Sequence, residues 1–295
     1  MRDGLALSLP WPLPLRRLLL DGRRALDQDR RAEAERAFLS ALALEPNIPE
    51  AHVGLALARR PGPDYRAWLA RVQTALKPRV YVEIGVETGL SLRLAGRETL
   101  VIGIDPVPRV PPAEATRPGL HLFAMTSRTF FATADAQPPP LAAALRAIDF
   151  AFIDGDHRFE TVLQDFIDLE ARMAPGGVIA LHDTWPLNAH TASPLRQTGF
   201  YSGDGWKLVP CLRALRPDLR VMTVATSPTG LTFVTRLDPA SRLLHQRYQS
   251  ILETYARLPY GAAVERELAL VPNTGAALDQ LLAWRLPTLP RAPEA

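Results

Sequence analysis

The 295-residue sequence predicts an α/β fold: a doubly wound, mostly parallel sheet ending in an antiparallel hairpin, preceded by a helical segment. Three observations carry this. From Arg79 onward, short continuous apolar runs alternate with amphipathic stretches, as when crossover helices bury strands on both faces. The last two apolar runs, "LRVMTVAT" (219–226) and "GLTFVTRL" (230–237), are joined by a turn too short for a crossover, so they pair antiparallel. Residues 15–60 carry a helical period instead.

Bulk properties narrow the function. The chain is 47% hydrophobic and 22% charged, a globular balance. Its net charge is +3, arginine is spread along the chain, and no basic patch is interleaved with aromatics, which argues against nucleic-acid binding. Cys211 is the one cysteine, which excludes an intramolecular disulfide and a cysteine metal site and fits a cytoplasmic location. No run approaches ~18 apolar residues, so no membrane span is expected. Asp3 and the prolines at 10, 12 and 14 do not match a signal peptide.

In residues 15–60, Gly22, Ala34, Phe38, Ala41 and Pro46 fall at offsets 8, 20, 24, 27 and 32, counting Leu15 as 1. The spacing resembles the tetratricopeptide repeat, a helix pair in which small residues let the helices approach. One and a half repeats cannot bury a core alone. The segment is therefore either a helical hairpin packed on the main domain or an arm for a protein partner or self-association. "RRPGPD" (59–64) reads as a linker, giving boundaries of 1–62, 63–238 and 239–295.

The main domain starts with a helix at 65–76, with Trp68, Leu69, Val72 and Leu76 on one face. Strands follow at 80–85, 100–105, 120–125, 149–154 and 177–183. Between them lie a helix beginning at "LSLRLA", a helical "LAAALRA", and a helix at 158–173 with Phe159, Val162, Phe166, Leu169 and Met173 inward. A helix at 205–215 carries Trp206 toward the sheet. Residues 240–257 and 274–285 read as helices, and 286–295 as a frayed tail.

The first strand turns through "VYVEIGVETGLS". Gly85 and Gly89 allow positive φ and close approach of a ligand. Asp105, 20 residues after Gly85, ends the second strand, the usual place for a carboxylate that holds ribose hydroxyls. A dinucleotide fingerprint is absent, and Glu87 would repel a diphosphate. Glu83 and Glu87 suit a cofactor bearing a sulfonium and an amino group.

With "FIDGDH" and "LHD" at the ends of strands four and five, the chain resembles class I S-adenosylmethionine-dependent methyltransferases over about residues 78–237. The resemblance implies a Rossmann-like, seven-stranded sheet and S-adenosylmethionine as cofactor, lined by Glu83, Gly85, Gly89 and Asp105. Thr126 and Ser127 would lie near the adenine.

Strands four and five are neighbours in that topology, so Asp154 and Asp183 face each other, ~4.8 Å apart in strand spacing. They suit Mg²⁺, with substrate oxygens and water completing its shell. His157 is placed to act as a base. Asp154-x-x-His157 with Asp183 resembles metal-dependent macrolide sugar O-methyltransferases. Those relatives have an acid where this chain has His182, so His182 is a third metal ligand, a substrate contact, or neither. Plainer readings stand beside these: Asp156 as a helix cap, His157 as a surface histidine, Asp183 as a turn former, and acids that only order the loop. The 184–206 segment reads as a long loop over the strand ends, a lid or substrate wall.

The expected activity is methyl transfer to a small-molecule hydroxyl, on a sugar or other polyol. Two alternatives are a cephalosporin-hydroxylase-like enzyme and a non-catalytic tetratricopeptide adaptor with a methyltransferase-like domain.

Overall fold

The computed structural model describes residues 11–285. The readings at Asp3, Pro10 and 286–295 lie outside these residues. Three helices come first: α1 (Leu13–Asp27), α2 (Arg31–Leu44) and α3 (Pro49–Arg59), packed in succession. Phe38 fills the space left by two glycines. A Cβ at Gly22 would come 2.8 Å from its ring, and one at Gly54 would come 2.3 Å from it. The sequence pattern pointed to Gly22; Gly54, on α3, completes the socket.

α4 (Tyr65–Leu76) starts at Asp64, whose carboxylate accepts from Ala67 N at 2.8 Å. This is a side-chain cap on a free helical N–H. Its buried stripe, Trp68, Leu69 and Val72, packs on one face of the sheet against Tyr81, Phe150, Phe152 and Phe233.

The sheet has eight strands in the order β3-β2-β1-β4-β5-β7-β6-β8. They are β1 (Val80–Ile84), β2 (Leu100–Asp105), β3 (Leu120–Ala124), β4 (Ile148–Ile153), β5 (Met173–His182), β6 (Arg220–Val224), β7 (Leu231–Thr235) and β8 (Leu270–Val271). β1 to β5 run parallel, and β7 is antiparallel to both β5 and β6, so the terminal hairpin is present. Along β1, Val80, Val82 and Ile84 bury on the face covered by Phe130, Leu163 and Phe166, while Tyr81 faces the α4 side. This is the period-2 alternation of a sheet covered on both faces.

Four local features differ from the sequence reading. The helix expected from Leu90 is a single 3₁₀ turn, Leu92–Leu94. Only six residues separate Gly89 from Gly96, too few to extend past a costly helical nucleus. The helix after β4 is Phe159–Glu170, shorter than 158–173. Met173 instead opens β5, pairing with Ile148 before a register shift that passes Gly176 and Gly177. The helix expected at 240–257 is broken into Leu243–Gln246 and Tyr248–Tyr255. An eighth strand, β8, pairs parallel with β6 and joins the seven expected. Its two residues carry too little pattern to read.

The segments interlock. The helix Gly275–Trp284 buries Ala277 and Leu281 beside Trp68 and Phe233. Asn273 Nδ2 donates to the carbonyls of Pro61 and Pro63 in the linker, and its Oδ1 accepts from Trp68 Nε1 at 2.6 Å. Among the described residues, no helix is long and apolar enough to cross a membrane.

Candidate active site

The C-terminal ends of β1, β2, β4 and β5 carry Gly85, Asp105, Asp154, His182 and Asp183 along one edge of the sheet. In an open α/β sheet this edge is the ligand crevice.

At the β1 end, Gly85 has φ +87°, and a Cβ there would lie 2.1 Å from Asp154 O. The glycine is required because the β1 and β4 exits cross at backbone contact. Gly89 and Glu87 also have positive φ. Asp105 holds this turn: Oδ2 accepts from Val86 N at 2.9 Å and Glu87 N at 2.8 Å, and Oδ1 accepts from Val107 N at 2.7 Å. Oδ2 is thereby saturated, while Oδ1 keeps a lone pair that a ribose hydroxyl could use. Glu87 is paired with Arg109 at 2.6 Å.

Glu83 lies lower in the sheet, fully buried, and accepts from Tyr81 Oη at 2.6 Å and from Ser91 Oγ. Burial pushes its carboxyl up to about 8, against the pull of those two hydrogen bonds. Thr126 caps the helix Ser127–Thr133 and is exposed. Ser127 is buried, and its hydroxyl bonds Asp165, whose carboxyl burial raises to about 7.

At the β4 and β5 ends the structure brings His157, Asp154, His182 and Asp183 together. His157 Nδ1 lies 2.6 Å from Asp183 Oδ2. His182 Nδ1 lies 3.0 Å from Asp154 Oδ1 and 3.5 Å from Asp183 Oδ2. The second Asp183 oxygen accepts from Thr229 Oγ1. Asp183 has φ +57°, a conformation that non-glycine residues seldom adopt and that clusters at functional sites.

The charges are mutually set. Burial alone would raise Asp183, but the His182 and His157 imidazoles hold it well below the usual carboxylate range. Burial would lower both histidines; the carboxylates of Asp183 and Asp154 outweigh it and raise them, His182 most.

Asp156 sits at the helix start, where its Oδ1 accepts from Arg158 N at 3.2 Å. It bonds the Arg158 guanidinium and Thr161 Oγ1, while the amide of Phe159 is capped from across the chain by Asp204 Oδ1 at 2.8 Å. Trp206 is fully buried and packs with Ala192, Val264 and Leu268.

Two aromatics at this site escaped the sequence reading. The Tyr65 ring lies 4.1 Å from that of His182, and the Tyr201 ring lies 5.7 Å from that of His157 in an edge-on contact. Tyr65 continues the α4 apolar stripe back by one turn, which was a usable signal. Tyr201 and Thr229 come from loops with no periodicity to read.

Residues 82–184 match the family of proteins described as a methyltransferase domain. Those residues span β1 to the end of β5, in a sheet of the order given above. Over these residues the chain is similar to that methyltransferase domain. Solved structures similar to this chain include an O-methyltransferase from Bacillus cereus in complex with S-adenosylhomocysteine, at 14% identity and TM-score 0.46, covering 78% of this chain and 93% of that one. They also include TomG from Streptomyces achromogenes, an O-methyltransferase involved in tomaymycin synthesis and complexed with S-adenosylmethionine, at 14% identity and TM-score 0.46, covering 78% and 92%. A third is the methyltransferase PaMTH1 of Podospora anserina, bound to S-adenosylhomocysteine, at 13% identity and TM-score 0.43, covering 76% and 88%. No curated protein matches the sequence.

The β4 and β5 ends also offer a donor set for a metal. One ligand atom each from Asp154, His182 and Asp183 lie within 4.8 Å of one another. His182 Nε2 is buried without a partner. Two carboxylates and one imidazole suit a divalent cation.

Proposed function

We propose that the chain transfers the methyl group of S-adenosylmethionine to a hydroxyl of a small molecule, a sugar or other polyol. The observation that carries this reading is the contact of 2.6 Å between His157 Nδ1 and Asp183 Oδ2. It holds the imidazole with its Nδ1 proton on the carboxylate, so that Nε2 is the basic nitrogen. A neutral hydroxyl is a weak nucleophile and needs such a base.

The residues divide the work. His157 Nε2 accepts the proton of the acceptor hydroxyl as its oxygen takes the methyl group. Asp183 orients the imidazole and stabilises the imidazolium. Thr229 fixes the remaining Asp183 oxygen. Asp154, Asp183 and His182 would hold a divalent cation, Mg²⁺ being the expected one. When bound, that cation lowers the pKa of an acceptor hydroxyl. The Tyr65 ring packs beside His182, and the Tyr201 ring lies edge-on to His157. At the other end Asp105 Oδ1, Gly85 and Gly89 line the cofactor cleft, with Glu83 beneath it and Ser127 beyond.

The test is incubation of the full chain with methyl-labelled S-adenosylmethionine and a panel of sugars, polyols and phenols. Label recovered in a methyl ether supports the reading. Label recovered only on nitrogen or carbon refutes it. Whether residues 15–60 also serve a protein partner, as the tetratricopeptide-like spacing suggested, is a separate proposal, tested by partner capture with and without residues 1–62.

A further inference from the structure

The linker arginine Arg60 sits at the junction between the helical segment and the active-site edge. It is 4% exposed, unusual for a guanidinium. Nη2 donates to Pro186 O at 2.8 Å, and Nη1 donates to Pro228 O. Its guanidinium lies 4.0 Å from the centre of the Trp185 ring, a cation–π distance. One side chain therefore grips two loops, the one leaving β5 and the one joining β6 to β7.

Those two loops build the Asp183 environment. Trp185 N donates to Thr229 O at 2.6 Å, and Thr229 Oγ1 donates to Asp183. Gly230 has φ +75°, and a Cβ there would lie 2.6 Å from Trp185 Cβ, so the loops meet at backbone distance. Asp183 itself keeps a left-handed conformation that only surrounding structure can impose.

The helices grip the same loop further along. Leu187 is buried in the core of α1 to α3, and Phe200 packs against it. The His52 and Phe200 rings stack at 5.7 Å with 2° between planes. Pro49 would lie 2.4 Å from a Cβ on Gly199.

We propose that Arg60 is a positioning residue for Asp183, and that α1 to α3 form a fixed backing for the 184–206 loop. Arg60 acts through the two loop carbonyls and Trp185, and it touches no reacting atom. The inference rests on the reading of Asp183 as a working carboxylate. Lysine cannot replace this arginine fully, because a single ammonium lacks the planar fork that reaches both carbonyls.

The experiment is the crystal structure of full-length Arg60→Met, with calorimetry of S-adenosylhomocysteine binding. The expected result is that residues 183–186 shift, the His157–Asp183 contact opens beyond hydrogen-bond range, and the cofactor product binds within about threefold of the parent, because its cleft lies on β1 and β2. An unchanged contact overturns the proposal. So does a loss of product binding of tenfold or more (~1.4 kcal/mol), which would mark a general packing role. If Arg60→Met does not fold, Arg60→Lys carries the same two measurements. Turnover of Asp183→Asn separates the two ideas: full turnover removes the functional reading of Asp183 and leaves the structural result standing.

Discussion

Asp183 Oδ2 lies 2.6 Å from His157 Nδ1, although the two residues leave different strands and are separated by a whole crossover helix. One follows β4 by a short turn, and the other follows β5 directly. The β4–β5 pairing brings both exits to one place, where each sets the other's charge. Asp183 is held ionised, and His157 is held above its ordinary value.

A pH dependence follows. Burial lowers His157, but the carboxylates of Asp183 and Asp154 outweigh it and hold the imidazole above its ordinary value. A general base works deprotonated, so turnover rises with pH through that raised value, about tenfold per pH unit on the acidic limb. Asp183→Asn removes the carboxylate and moves the limb toward lower pH. Rate profiles of the two proteins check this, and coincident limbs refute it.

Metal removal gives the second prediction. If Asp154, His182 and Asp183 hold a cation, dialysis against EDTA lowers turnover at least about tenfold and added Mg²⁺ restores it. Turnover indifferent to EDTA assigns the three residues to hydrogen bonding alone.

Gly85→Ala tests the crossing of the β1 and β4 exits. The new Cβ would meet Asp154 O, which cannot move without opening the sheet. The variant is expected to lose at least ~2 kcal/mol of stability. A melting temperature equal to the parent's contradicts this.

Glu83 predicts a stability trend. Its folded value of about 8 lies above the ordinary 4.5, so the folded state keeps a proton that the unfolded chain has released. That contribution is intact below the unfolded value and is lost as pH rises through about 8. Glu83→Gln should therefore melt higher than the parent by a margin that widens between pH 5 and pH 8.5, on the order of a few kcal/mol at the upper end. A margin independent of pH would refute the shift.

What the sequence allowed was governed by range. Strand order and the meeting of Asp154 with Asp183 follow from local apolar runs and the neighbouring of β4 and β5. The role of Phe38 followed from helical spacing. By contrast, Arg60 and Thr229 reach the site from the linker and the turn before β7. Such contacts are fixed by tertiary packing and leave no periodic trace. Asp156 was read as a helix cap and does accept from Arg158 N, but the next amide, Phe159 N, is held by Asp204, 45 residues away and out of reach of a local reading.

The most direct measurement is the turnover of His157→Gln with saturating S-adenosylmethionine and the acceptor found in the labelling panel. Glutamine keeps a polar side chain but cannot take the proton. The expected result is a kcat lower by ~10²–10⁴-fold, with KM for S-adenosylmethionine changed less than about threefold. An unchanged kcat would contradict the base assigned to His157.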